Sequence, residues 1–395
     1  MRDVPIEGEF ALHIFWTSLL GLVAFLWAVS LVEMAIGVRS IPSLRDIEPL
    51  ADSACPSLSI LFAGRDEAEK LPGAIETMLG LDYPDYEVVA VNDRSSDGTG
   101  AILEAAARKN PRLKPVRIDS LPRGWLGKPH ALQQAYEHSR GEWLVFTDAD
   151  VHFEPDVLRR VLGLAQKKGW EHMTLFASPK LFTFGEKIVM AFFGVGFLMG
   201  TKPWKATDPL SSGYTGMGAF QLIKRSAYEK MGTHKRLAME VIDDMKLGKL
   251  AKEAGARSGI AKPGSAVSVH WHAGLGNIIR GTTKNFFASS GYRLWLTSLH
   301  VFGLLLMCVF PVAALPFARG WALAFAGVAV GIPLFVEAGV ALEIGASPLF
   351  ALTYPLGAAI FAWMLTRSTI ITLWRGGIEW RGTFYPIEEL KKGVV

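Results

Sequence analysis

Two kinds of segment divide the chain: long apolar runs, and shorter apolar runs punctuated by charged turns. From Phe10 to Val32 the run FALHIFWTSLLGLVAFLWAVSLV carries no formal charge and is long enough to cross a hydrocarbon layer of about 30 Å as a helix. Three more apolar stretches, at about 299–318, 320–342 and 348–366, lie toward the C-terminus, separated by Arg319 and by the loop from Glu343 to Ser347. They read as further spans. The stretch 188–201 (IVMAFFGVGFLMGT) is apolar but too short to cross, and predicts either a helix lying along the membrane or a buried core helix.

Between these runs the periodicity changes. SLSILFA (57–63) is a β-leaning run, Glu67 to Leu81 reads as a helix, YEVVAVND is a second buried-type strand, and a helical pattern runs from Ala101 to Lys109. Strand, helix, strand, helix predicts an α/β fold with a mostly parallel sheet flanked by helices, in addition to transmembrane helices. Such sheets bind ligands at the carboxyl ends of their strands, which singles out Arg65 to Glu67 and Asn92 to Asp97. The expected division is an N-terminal anchor and linker (1–50), a catalytic domain (51–285), and a C-terminal membrane region with a basic tail (286–395).

Charge sets an expected orientation. The leader MRDVPIEGE is acidic on balance, unlike the basic leader of a signal peptide. Arg39 and Arg45 follow the first run, so the positive-inside rule places the next segment in the cytoplasm. Three later spans would then leave the tail outside, yet Arg375, Arg381, Lys391 and Lys392 want it inside. One stretch is therefore expected to be re-entrant or interfacial. Glu337 makes the middle one the first candidate, because intramembrane carboxylates face protein or water.

Composition narrows the class. Half of the 395 residues are hydrophobic, enough for one soluble domain and several spans. The net charge of +4, from 41 basic and 37 acidic residues, is too small an excess to indicate a nucleic-acid partner. Two cysteines, Cys55 and Cys308, build neither a disulfide framework nor a cysteine metal site. The soluble part is therefore expected in the cytoplasm, held at the cell's inner membrane.

Several polar positions suggest chemistry, each with a plainer alternative. Asp93, in VNDRSSDGT, is placed to accept hydrogen bonds from a base or ribose, or is a turn residue bonded to local backbone. Asp148-Ala149-Asp150 follows a buried strand, and two carboxylates two residues apart in extended chain project to one side, which suits a hard divalent cation. Lys128 precedes a helical segment, where an ammonium and exposed amides attract phosphate; it is otherwise a surface lysine. Asp243-Asp244 opens a helix either as a cap or as a general base, and the local pattern favours the cap. His270 and His272 would face one side of a strand, as ligands or as packing residues, with packing the local preference.

In order, SILFAGRDE, VNDRSSDGT, GWLGKPHAL, FTDADV, GYTGMGAFQLIKRSAYEKMG and VIDDMKLGK resemble glycosyltransferase family 2 over roughly residues 57–255. The nearest likeness is to membrane-attached enzymes that glycosylate lipids. The resemblance implies a GT-A fold and inverting transfer from a nucleotide-diphosphate sugar, expected to be a UDP-sugar, to a lipid acceptor. It implies Asp93 at the nucleotide base, Asp148 and Asp150 on Mg2+ or Mn2+, and Asp244 as catalytic base, which reverses the local preference for a cap. Ala63, Arg65, Glu67, Lys128, Asp148 and Asp243 complete the expected substrate contacts. The Q-x-x-R-W motif of polysaccharide synthases is missing; Arg280 and Lys284, in IIRGTTKNFFASSGYRLW, are the substitute candidates for diphosphate or acceptor, or else contact lipid headgroups. A processive polysaccharide synthase and a catalytically silent scaffold are the rival readings.

Overall fold

The computed structural model describes residues 6–395, and side chains from residue 11 onward. The acidic leader as far as Pro5 lies outside the described residues. Two compact units interleave along the chain. One contains residues 39–180, 201–271 and 372–395; the other contains the chain up to Val38, residues 181–200 and residues 272–371. The tail from Thr372 thus folds with the soluble unit, although in sequence it follows the membrane helices.

The soluble unit is built on strands β1 (Leu58–Gly64), β2 (Tyr86–Asp93), β3 (Leu113–Ile118), β4 (Trp143–Asp148), β5 (Val151–Phe153), β6 (His172–Leu175), β7 (Ser178–Pro179), β8 (Gln221–Lys224), β9 (Ser258–Ala261), β10 (Val267–Val269), β11 (Gly377–Trp380) and β12 (Thr383–Pro386). Its main sheet has the order β3-β2-β1-β4-β8-β6-β9. β1 pairs parallel with β2 and β4, β2 with β3 and β6 with β9, while β8 runs antiparallel between β4 and β6. Ile60, Leu61, Phe62, Val88, Val89, Ala90 and Val145 are fully buried. That is why β1, β2 and β4 read as continuous apolar runs rather than as alternating ones: helices cover both faces. β5, β10 and β7 form a second sheet, and β11 and β12 a hairpin.

The predicted elements are present with shifted limits. The helix expected from Glu67 starts at Leu71, with Pro72 in its first turn. Residues 65–70 stay irregular because their polar groups bond across to the next loop: Ala68 N–H donates to Asp97 Oδ2 (3.0 Å) and Ser96 N–H to Asp66 Oδ1 (2.7 Å).

In the membrane unit the first helix, Ile6–Arg39, is longer than the apolar run that predicts it. Leu20, Val23, Ala24 and Trp27 form its buried stripe, whereas Phe15, Leu22 and Phe25 are exposed. The Trp27 indole N–H donates to the Met307 carbonyl (3.0 Å), beside a π-helical segment Leu305–Val309 that interrupts the next long apolar stretch. Among the described residues, five helices are long and apolar enough to cross a membrane, one of them Phe184–Thr201 with its continuation to Thr207. The apolar stretch that reads as too short to cross in the sequence is therefore long enough to do so, because the helix begins at Phe184 and is continued to Thr207. The basic tail from Thr372 packs in the same unit as residues 39–180 and 201–271. Glu337 is fully buried within the middle helix, Trp321–Glu343, and neither carboxylate oxygen has a hydrogen-bond partner among the described residues.

Candidate active site

The parallel register brings the polar strand ends together. Ala63 lies opposite both Val91 of β2 and Asp148 of β4, and Gly64 lies opposite Asn92. Asp93 closes β2 and is buried; its carboxylate accepts two hydrogen bonds from its neighbour Arg94, at 2.7 and 3.0 Å. Arg94 has a left-handed φ of 55°, which turns its guanidinium back onto the strand end. Gly127 covers this pair so closely that a Cβ there would stand 2.7 Å from Asp93 Oδ2.

The helix Gly127–Glu137 includes Lys128 in its first turn, rather than leaving it just ahead of the helix. Lys128 Nζ lies 2.6 Å from Asp148 Oδ1. Burial opposes this ammonium's charge, but the fields of Asp148, Asp243 and Asp244 together hold its pKa above the ordinary lysine range. Asp148 ends β4, and Ala149-Asp150 is a turn leading into β5. The two carboxylates therefore do not share one face of an extended strand, as the sequence suggests: the turn sends Asp150 to Lys70 instead (2.8 Å), and Lys70 also donates to the His270 carbonyl (3.3 Å).

The helix Asp243–Glu253 brings the second pair of acids. Asp243 is buried. Asp244 Oδ2 accepts the Gly218 N–H (2.9 Å) and Oδ1 accepts the Met245 N–H (2.7 Å), while the Asp244 carbonyl accepts from Gln221 (3.1 Å). The loop GYTGMGAF packs directly on this helix. A Cβ at Gly216 would lie 1.9 Å from the Asp244 carbonyl oxygen, and one at Gly248 would lie 1.8 Å from the Thr215 carbonyl oxygen, so only glycines allow the contact. Gly218 marks the centre of the site: a Cβ there would be 3.0 Å from Asp148 Oδ2, 3.1 Å from Asp244 Oδ2 and 3.5 Å from Lys128 Nζ.

Glu67 sits between the β1 loop and the tail hairpin. Its N–H donates to Thr99 Oγ1 (2.9 Å), and its carboxylate is paired with Arg381. Burial raises the Glu67 pKa against the pull of Arg381, and nearby Asp150 adds to the rise. Arg65 is half-buried, and its Nε has no hydrogen-bond partner among the described residues. Arg280 and Lys284 belong to the other unit, on the helix Leu275–Ser289; Arg280 bonds Asn277 (2.7 Å) and Lys284 bonds Asn285 (2.9 Å). β10 ends at Val269, so His270 and His272 do not face one side of a strand, and the two fall in different units.

The donor set suits a hard cation that keeps much of its shell for water and phosphate. Asp148 and Asp150 offer carboxylate oxygens, and among the described residues no three His, Cys, Asp or Glu side chains gather as a cage. Magnesium-type sites commonly use one or two carboxylates and complete themselves with substrate phosphates. Sequence reasoning missed Lys70, Gly218, Gln221 and Arg381. The glycine spacing in GYTGMGAF was the available signal for one of them.

Residues 59–176 match the family model for glycosyl transferase family 2, which takes in Asp93, Lys128, Asp148 and Asp150 but stops before Asp244. The chain carries a family 2 glycosyltransferase domain. It is 30% identical over 161 residues to a beta-monoglucosyldiacylglycerol synthase of Synechocystis, covering 37% of this chain and 33% of that one. A synthase of the same name from Trichormus variabilis is 29% identical over 185 residues, 42% of this chain and 39% of that one. The chain thus spans little more than a third of the length of the curated relatives it matches. Among solved structures, the mannosyltransferase PcManGT of Pyrobaculum calidifontis, determined with GDP-Man and Mn2+, superposes with a TM-score of 0.52 at 21% identity, covering 90% of this chain and 99% of that one. The fold is of the GT-A type, with a mostly parallel sheet flanked by helices.

Proposed function

We propose that the protein is an inverting glycosyltransferase that moves a sugar from a nucleotide-diphosphate donor to a lipid acceptor at the membrane surface. The observation that carries this reading is the convergence of Asp148, Asp244 and Lys128 on the space beside Gly218. A leaving-group cation and a proton acceptor face one small volume there, as a single displacement needs. Supporting it, relatives are named as lipid glucosyltransferases, a fold neighbour was solved with GDP-Man and Mn2+, and apolar helices are at hand to hold the chain at a bilayer.

In this reading Asp93 and Arg94, with the neighbouring Ala63, Arg65 and Glu67, form the wall that holds the nucleoside. Asp148 and Asp150 would hold Mg2+ or Mn2+, which when bound neutralises the donor diphosphate. Lys128 faces the same phosphates and stabilises their charge as the anomeric C–O bond breaks. The acceptor oxygen attacks from the opposite face of the sugar, and its proton passes to Asp244. The bonding electron pair leaves with the nucleoside diphosphate, and no covalent enzyme intermediate forms. Asp244 is fixed for this task by Gly218 N–H and Met245 N–H, while Asp243, buried beside it, adds its charge to the field on Lys128. The soluble unit and tail face the cytoplasm, in keeping with Arg39, Arg45, Lys391 and Lys392.

The test is nucleoside diphosphate release by purified full-length protein given UDP- and GDP-sugars, Mn2+ or Mg2+, and diacylglycerol or a host lipid extract. Lipid-dependent release with one donor is the expected outcome; nucleotide binding without release under any combination would favour a silent scaffold.

A further inference from the structure

The segment after the last long helix returns to the soluble unit and touches the candidate site at two points. β11 and β12 are joined by Arg381-Gly382, with φ of 50° and 73°, the left-handed pair that a two-residue hairpin demands. The turn carries Arg381 onto the Glu67 carboxylate, in the loop after β1. Four residues along, Tyr385 is buried near Arg94, which itself clamps Asp93 and whose pKa is raised first by that bond to Asp93 and, to a smaller degree, by Tyr385. The hairpin is rigidly based. Ile378, Ile387 and Leu390 are buried, and Ile387 N–H donates to the Gly376 carbonyl (2.9 Å).

Two features of this contact call for a ligand rather than for packing alone. Arg65 faces the hairpin turn, since a Cβ on Gly382 would stand 4.0 Å from its terminal nitrogen, yet its buried Nε has no acceptor among the described residues. A half-buried guanidinium is stabilised by a carboxylate, phosphate or carbonyl oxygen. In the same loop, the Asp66 carboxylate accepts from Ser96 and that of Glu67 is taken by Arg381. By occupying Glu67, Arg381 also keeps a second carboxylate beside Asp150 from competing with phosphate for Arg65.

We propose that the hairpin Gly377–Pro386 is a working wall of the donor site, in which Arg381 and Tyr385 are positioning residues that set Glu67 and Arg94 so that Arg65 and the Asp93–Arg94 pair are placed to take a nucleoside diphosphate. This rests on the glycosyltransferase reading above. The hairpin orders the donor loops from behind, and donor binding in turn tightens the hairpin.

The experiment uses full-length protein in detergent, with UDP and GDP as probes in the presence of Mn2+. Calorimetric affinity and backbone hydrogen exchange of residues 377–386 are measured for wild type, Arg381→Ala, Arg381→Lys and Tyr385→Phe, together with donor KM and kcat. Hydrogen bonds to charged groups suggest a loss of roughly tenfold in donor affinity and KM for Arg381→Ala. Supporting results are that loss with little change in kcat, partial recovery in Arg381→Lys, and slower hairpin exchange when nucleotide binds wild type. Wild-type affinity and KM in Arg381→Ala and Tyr385→Phe, with hairpin exchange indifferent to nucleotide, would overturn the proposal while leaving the glycosyltransferase reading standing. Failure of the wild type to bind either nucleotide would overturn both.

Discussion

Lys128 Nζ rests 2.6 Å from Asp148 Oδ1, joining the first turn of one helix to the end of strand β4. Burial opposes the charge of this ammonium, and Asp148, Asp243 and Asp244 hold it charged; in the proposed function it faces the donor diphosphate. Replacing it removes a positive charge aimed at the leaving group. Lys128→Met is expected to lower kcat by about 10²–10³, the range seen when one preorganised charge-stabilising donor is lost. Steady-state kinetics, with nucleotide affinity as a control, checks this.

Two glycines that look alike in sequence should respond differently. A Cβ at Gly248 would meet the Thr215 carbonyl oxygen at 1.8 Å, a collision of backbone with backbone. Gly248→Ala is therefore expected to destabilise the soluble unit by about 1–3 kcal/mol, as overpacking does. A Cβ at Gly218 would meet the ends of two carboxylates at 3.0 and 3.1 Å, which can shift by a few tenths of an ångström. Gly218→Ala should leave the unfolding midpoint near wild type and depress turnover. Parallel measurement of unfolding and kcat separates the two cases.

Asp244→Asn keeps the volume of the side chain and removes the proton acceptor. Nucleotide-diphosphate affinity should remain within about twofold, while turnover with a hydroxyl acceptor falls by about 10²–10⁴, the usual contribution of a general base. Undiminished turnover would assign Asp244 a capping role only.

His172 predicts an acid sensitivity of the fold. It is wholly buried between Ser258 (3.2 Å) and Gln221 (3.1 Å), and burial lowers its pKa from 6.5 to about 4. The unfolded chain takes up this proton first, so the stabilisation is full above pH 6.5 and is lost as pH falls toward 4. The span from 6.5 to about 4 corresponds to about 3 kcal/mol. His234, buried and lowered to about 3, acts in the same direction. Urea unfolding at pH 7 and pH 5 should show a smaller loss in His172→Gln than in wild type. Because Gln221 bridges His172 to the Asp244 carbonyl, activity should fall over the same range.

Much of this architecture is legible in the chain because parallel strands covered on both faces must be continuous apolar runs. YEVVAVND gives β2 to the residue, and each strand announces its functional end with a charged turn. Asp93 and Asp148 stand out for that reason. The pairing of Asp148 and Asp150 with different lysines was not legible, since it depends on a turn after β4 and on Lys70, 80 residues earlier. The hairpin was missed for a similar reason. Nothing local in WRGTFYP says that Arg381 will meet Glu67, 314 residues away. That the tail packs in one unit with residues 39–180 was likewise not legible, because it depends on contacts between segments hundreds of residues apart.

The proposed function has the residues around Gly218 transfer a sugar from a nucleoside diphosphate to a lipid. The most direct measurement is nucleoside diphosphate release by wild type and Asp148→Ala, across UDP- and GDP-sugars, with Mn2+ and with or without diacylglycerol vesicles. The expected result is release with one donor, dependent on lipid, abolished by chelation and absent in Asp148→Ala. Equal release by Asp148→Ala, or release unaffected by chelator, would contradict it.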